Sequence, residues 1–368
     1  MKKLIKLSVL PLLAITLMGC QSNNTTNSNS STTTTTAQKE DAFKLWSKKA
    51  SGADCAAIQE LKSYVEEVTD ETSDSFIPKE DRIATFDMDG TIIGELYPSY
   101  FEYNLLEYRV LDDPSYKDKA SEQEIDAATR IREFVRNGVA LPDHFDMIHA
   151  YAAAKAYSGM TLKEFDDYVK AYAAKPANGF SGMTYGESFY KPMLEIFDYL
   201  EEYDFNYYIV SGSDRFICRA LVDSINIDPS KVIGMDVVLK SNNQGDEDGV
   251  NYTYKVEDTL IRTDELIIKN LKTNKVKQIT QEIGKKPVLS FGNSGGDSAM
   301  HNYCLSNDYE SKAFMLIADD EEDDHANREK ALKLKDQWEE AGYIVISMRD
   351  DFTTIYGDGV LKTDFIFE

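Results

Sequence analysis

Apolar residues fall along this chain in two rhythms. Four short runs, Arg82 to Phe86, Asn206 to Val210, Pro287 to Phe291 and Ala313 to Ile317, are largely apolar and bounded by polar residues or glycine. Unbroken runs of this length read as strands buried on both faces. Amphipathic stretches with helical spacing separate them, and the alternation predicts an α/β fold with a doubly wound, mainly parallel sheet. Tyr343 to Ile346, behind a helix-like Ala326 to Ala341, adds a further strand. Between the first two strands the chain is far longer than one crossover requires. Helical patterns there, at Glu124 to Asn137, His144 to Tyr157 and Leu162 to Ala174, predict an inserted α-helical cap over residues 98–185, and a helix from Met193 to Glu202 leads back to the sheet. The core then comprises residues 81–97 and 186–368. Ahead of it, a stripe of Leu45, Trp46, Ala57, Ile58, Leu61 and Val65 predicts a helical extension within residues 41–80.

The N-terminal stretch stands apart. Lys2, Lys3 and Lys6 precede an apolar run from Leu7 to Met18 that ends Leu17-Met18-Gly19-Cys20. The run is short for a bilayer span, which needs about 20 apolar residues, so it reads as a targeting segment. It resembles the bacterial lipoprotein signal, which implies removal of residues 1–19 and a lipid on Cys20. Residues 20–40 continue as a polar tract of Asn, Ser and Thr, a composition that makes a flexible tether. The expected location is extracytoplasmic, anchored to the bacterial cell membrane by lipid alone. The remaining cysteines, Cys55, Cys218 and Cys304, make no disulfide framework and read as small buried apolar residues.

Composition narrows the picture further. At 368 residues, 42% apolar and 11% aromatic, the chain is globular and long enough for a core plus an insertion. A formal charge of -24 opposes binding to nucleic acid or an anionic surface. A small anionic substrate then needs cations gathered locally.

Chemistry is expected beyond the carboxyl ends of the strands. The loops there read Asp87-Met88-Asp89-Gly90-Thr91, Ser211-Gly212-Ser213-Asp214 and Gly292-Asn293-Ser294-Gly295-Gly296-Asp297. Asp87 and Asp89 can reach one site, one carboxylate attacking while the other moves protons. Gly90 permits a tight turn beside a ligand. Carboxylates next to a phosphate dianion repel it, so a divalent cation and a basic side chain are required; Mg2+ suits an all-oxygen site. Ser211 and the amides of Gly212 and Ser213 can hold phosphate oxygens, and Asn293 and Asp297 offer further oxygen ligands. Taken singly these motifs are a turn or calcium-loop fragment, an ordinary turn and a flexible glycine loop. Their order gives them meaning.

From Asp87 to Met300 these segments resemble the haloacid dehalogenase superfamily of phosphatases, with its Rossmannoid core. The resemblance implies that Asp87 is the nucleophile and Asp89 the general acid/base, with a backbone carbonyl touching the metal. It makes Ser211 and Gly212 phosphate-binding and Lys275 the phosphate-stabilising lysine, with Lys277 as the alternative. The implied metal set is Asp87, Asp89, Asn293 and Asp297; Asn293 stands where many relatives have Asp, which removes a charge. An insertion directly after the first motif is similar to that of phosphoserine-phosphatase-like relatives, including secreted phosphorylcholine phosphatases, and implies that the cap selects the substrate. Glu95, Tyr97 and Tyr100 follow that motif closely. They can face a leaving group, where a carboxylate with aromatic rings suits a quaternary amine, or pack cap against core.

The acidic run Asp319 to His325 reads as a solvated loop or helix cap, with loose Ca2+ binding as the alternative. The histidines show no metal-ligand spacing, and no Walker loop, Ser-His-Asp order or zinc cysteine pair is visible. The expected function is a Mg2+-dependent phosphatase that hydrolyses a small phosphomonoester through an aspartyl phosphate. A phosphotransferase or phosphomutase using the same intermediate is one alternative. A non-catalytic solute-binding lipoprotein is the other.

Overall fold

A computed structural model of the protein describes residues 41–48 and 51–367. The targeting segment, Cys20 and the tether lie outside the described residues. Helix α1 (Ala56–Thr69) precedes the first strand, β1 (Ile83–Phe86). The insertion follows as α2 (Phe101–Glu107), α3 (Glu122–Asn137), α4 (Phe145–Ala156) and α5 (Leu162–Ala173), then the short β2 (Phe180–Ser181) and α6 (Lys191–Glu202). The chain continues through β3 (Asn206–Asp214), α7 (Arg215–Val222), β4 (Val232–Ser241), β5 (Leu260–Ile268), α8 (Thr273–Glu282) and β6 (Leu289–Gly292). It ends with α9 (Ser298–Leu305), β7 (Lys312–Ile317), α10 (Arg328–Glu340), β8 (Ile344–Ser347), α11 (Met348–Asp351) and β9 (Leu361–Lys362).

The sheet order is β5-β4-β3-β1-β6-β7-β8. All neighbours are parallel except β4 and β5. This is the doubly wound, mainly parallel architecture that the alternation of short apolar runs predicts. β1 and β6 are buried throughout because helices cover both faces. Phe86, Phe291 and Phe314 stand in register on β1, β6 and β7 and stack at centroid spacings of 4.3 and 4.8 Å. That ladder fixes the relative height of the strands whose ends carry the loops. Because β1 lies between β3 and β6, the three loops named above emerge side by side.

The inserted helices form for local reasons. Ser121 and Glu124 make a capping box at the start of α3, and Gly138 closes it in the left-handed conformation with φ 66°. Thr161 and Glu164 do the same for the start of α5. α4 packs against β5 and α5 against α7. The chain beyond the sheet returns to this region, β9 pairing antiparallel with β2.

Some expectations need correction. The N-terminal stripe is helical only in α1. Residues 41–48 run as turns, with Trp46 bridged to Phe352 and its indole N–H donating to the Pro192 carbonyl at 3.0 Å. Gly52, at φ 81°, stands between the two stretches. The β4–β5 hairpin was not expected at all. The acidic run is not simply solvated: Asp319 accepts from Ser347 Oγ at 2.7 Å and from the Arg349 amide at 3.1 Å, which ties it to the start of α11. Asp324 is wholly buried. Cys55, Cys218 and Cys304 are buried and free, as expected.

Candidate active site

The loop after β1 is held from below by the Asp87 amide, which donates to the Phe291 carbonyl on β6 at 2.9 Å. It then reverses at Gly90, whose φ is 75° and whose N–H donates to the Ile93 carbonyl at 2.7 Å. A Cβ at position 90 would lie 2.0 Å from Asn293 Nδ2 and 2.7 Å from the Glu95 carboxyl carbon, so any side chain there strains the backbone and displaces both groups. The loop's tightness brings Asp87, Asp89, Glu95 and Asn293 to one place.

These residues face a cavity of ≈ 80 Å³, shared with Gly212, Lys275 and Asp297. Lys275, on the first turn of α8, is 1% exposed. Its ammonium donates to Asp87 Oδ1 and, at 2.7 Å, to Asp297 Oδ1. Lys277, the alternative, is exposed and donates to Asn274 Oδ1 at 3.2 Å. Asp297 Oδ2 accepts the amides of Asn293 and Ser294 at 3.1 and 3.0 Å, which folds the third loop around its carboxylate. On the second loop, Ser213 Oγ donates to Asp89 Oδ2 at 2.7 Å. Ser211 Oγ takes the Ser213 amide at 3.0 Å and reaches Asp89 Oδ2 at 3.4 Å. Asn293 Oδ1 accepts from Thr91 Oγ1 at 3.4 Å.

The electrostatics follow from burial and crowding. Burial pushes the Asp87 carboxyl up to about 7, the charge of Asp297 adding to the shift and Lys275 opposing it. Asp89 rises to about 6 by burial, against its hydrogen bond from Ser213. Glu95 rises to about 8, by burial first and then by the charges of Asp89 and Asp87. Burial works on Asp297 too, yet Lys275 holds it below the usual carboxylate range. One lysine is thus shared by two carboxylates, and the acids around Asp87 outnumber the cations that face them.

That deficit is what a divalent cation removes. Among the described residues no three His, Cys, Asp or Glu side chains converge on a ready-made metal site. The side-chain metal donors that line the cavity are nevertheless oxygen: the carboxylates of Asp87 and Asp297 and the amide of Asn293. The set fits Mg2+, which keeps waters and asks for few protein carboxylates. Asn293 contributes no charge to it.

The residues singled out after the first motif divide. Glu95 and Tyr100 line the cavity. Tyr97 does not: it is fully buried, its ring packed on Tyr185 at 5.5 Å and against Gly94. Sequence reasoning missed Glu102, Tyr103, Asp146 and Lys269, which complete the wall. Glu102 and Lys269 form an ion pair at 2.7 Å, with side chains 5% exposed. Tyr103 OH donates to Asp146 Oδ1 at 3.3 Å. The one signal for Glu102 is a charged residue on the apolar face of α2, too common a feature to point anywhere alone.

No family model and no curated protein matches the chain. Among solved structures, it is similar to a protein of unknown function from Anaerococcus prevotii, with 16% identity, TM-score 0.48, and 83% of this chain and 93% of that one covered. A cytosolic 5'-nucleotidase IIIB bound to cytidine shares 11% identity at TM-score 0.46, covering 78% of this chain and 85% of that one. A phosphoserine phosphohydrolase-like protein from Francisella tularensis shares 15% at TM-score 0.38, covering 69% and 92%. With these scores below 0.5, the functional reading rests on the site itself.

Proposed function

We propose that the protein is a haloacid dehalogenase-type phosphatase that hydrolyses a small phosphomonoester through an aspartyl phosphate on Asp87. The observation that carries this reading is the grouping at one cavity of a buried carboxylate held by Lys275, a second carboxylate, and a serine loop. Structural ion pairs explain Lys275 with Asp87 and Asp297 but not the further acids Asp89 and Glu95 crowded beside them, an arrangement costly to fold and typical of functional sites.

In this reading an Asp87 oxygen attacks phosphorus, and the bond to the leaving alcohol breaks as Asp89 gives that oxygen its proton. Asp89 then takes a proton from water, the water oxygen bonds to phosphorus, and the Asp87–phosphorus bond breaks to release phosphate. Lys275 and the Gly212 amide bear the phosphoryl oxygens, while Ser211, buried behind the cavity, shapes the loop by taking the Ser213 amide at 3.0 Å. Asp87, Asp89, Asn293 and Asp297 would hold Mg2+, which would offset the charge between carboxylates and phosphate.

The leaving-group side of the cavity carries Glu95, Tyr100, Tyr103 and Asp146. Acids with aromatic faces favour a cationic alcohol, a choline- or ethanolamine-like group. The targeting segment and Cys20 support an extracytoplasmic, lipid-anchored location. The test is phosphate release from an aryl phosphate and a panel of small monoesters, with and without Mg2+, for the wild type and Asp87→Asn. Metal-dependent turnover lost in Asp87→Asn supports the reading. A folded, Mg2+-loaded protein that binds such esters without turning them over favours the solute-binding alternative.

A further inference from the structure

We infer that Glu102 and Lys269 act as a positioning pair that sets the phosphate-binding loop and, through it, Asp89. The inference rests on the proposed phosphatase reading and names residues for which none of the recognised motifs provides.

Glu102 belongs to α2 in the insertion, while Lys269 directly follows β5 in the core. Their ion pair forms part of the cavity wall, at 2.7 Å. Glu102 uses its other oxygen as well: Oε2 accepts the amide of Asp214, the residue next to Ser213, at 3.2 Å. Ser213 in turn donates to Asp89 at 2.7 Å. Asp214 is fixed from its far side by Arg262, whose guanidinium meets its carboxylate at 3.2 and 2.5 Å. The Lys269 end braces the opposite edge of the same loop. Asn270 Nδ2 donates to the Ser211 carbonyl at 2.9 Å, and Asn274, next to Lys275 on α8, donates to the Lys269 carbonyl at 2.9 Å. Through Asp214, Asn270 and Asn274 the pair is therefore linked to both ends of Ser211–Ser213 and to the turn that carries Lys275.

A buried pair of this kind is poor evidence of a purely stabilising role. Its desolvation largely offsets its attraction, and an apolar pair of the same size often serves as well. What an apolar pair cannot do is accept the Asp214 N–H. His149, its ring tilted against Tyr103 at 4.5 Å, also approaches Glu102, Nδ1 to Oε1 at 3.6 Å, but burial lowers it to about 4, so Lys269 is the charge that faces Glu102. Without Lys269, Glu102 faces Asp89 as an unpaired carboxylate or takes a proton, and the Asp214 amide loses its charged acceptor.

The test measures inorganic phosphate affinity by calorimetry and kcat on an aryl phosphate for Glu102→Gln, Lys269→Met, the double variant and Lys269→Arg, each beside a melting curve. Lys269→Met is expected to lose about 10-fold or more in both phosphate affinity and kcat. The double variant recovers much of that loss, because glutamine still accepts the Asp214 N–H with no charge left unpaired. Lys269→Arg retains most activity. Single variants that melt earlier yet keep wild-type kcat and phosphate affinity below their transitions overturn the inference, and so does a double variant whose losses simply add. A wild type that neither binds phosphate nor turns over esters defeats the proposed function instead.

Discussion

Gly90→Ala is the sharpest test of how the first loop assembles the site. Two costs add. An L-residue at φ 75° is strained by ~1–2 kcal/mol. The new Cβ also starts 2.0 Å from Asn293 Nδ2 and must reach at least 3.0 Å, so Asn293 or the loop retreats by the difference, 3.0 − 2.0, or ~1 Å. Glu95, at 2.7 Å, has to give as well. A displacement of ~1 Å among positioning groups costs about 10²-fold in rate. The variant should therefore stay folded, melt a few degrees lower, and lose about 10²-fold in kcat, as read by phosphate release at saturating Mg2+. A Gly90→Ala protein with wild-type kcat and melting temperature would refute the reasoning, since the loop must then tolerate what its geometry forbids.

Asn293→Asp should restore the charge that the metal set lacks while placing a new carboxylate beside Glu95, which now takes a hydrogen bond from Asn293. We expect a lower melting temperature without metal and tighter Mg2+ binding by calorimetric titration; unchanged Mg2+ affinity removes position 293 from the ligand set. Asp113, on the insertion, is 6% exposed. Burial opposes its charge, but Ser115, Arg109 and Tyr168 lower it from 3.8 to about 2. A depressed folded value contributes stability above the ordinary carboxylate range that is lost as pH falls through about 2, worth ~2 kcal/mol. Asp113→Asn should lower neutral-pH stability by about that much and flatten the pH–stability curve between roughly 4 and 2; a curve parallel to wild type contradicts it.

What could be read from the chain depended on how each residue earns its burial. β1, β3, β6, β7 and β8 were legible because parallel strands buried on both faces are nearly continuous apolar runs. β5 was not: Arg262, Thr263, Asp264 and Glu265 interrupt it, and most of its side chains are partly or fully exposed. Leu45 and Trp46 match the helical stripe yet pack from turns, because tertiary partners on Phe352 and Pro192 outweigh periodicity. Asp87, Asp89, Asn293 and Asp297 announced themselves through loops at strand ends, where chemistry is local in sequence, and Lys275, on a helix, only through the resemblance. Glu102 and Lys269 did not, since a pair 167 residues apart leaves no pattern in either neighbourhood. Of the two readings open for Tyr97 the structure takes the packing one, because adjacency to a motif does not say which way a ring faces.

The most direct test of the central claim is to quench the protein with acid during turnover of a labelled aryl phosphate in Mg2+ and map the label by peptide mass spectrometry. The account predicts phosphate on the peptide holding Asp87, removed by hydroxylamine as an acyl phosphate and absent in Asp87→Asn. Sustained turnover with no covalent label on any peptide, and with Asp87→Asn as active as wild type, would contradict it.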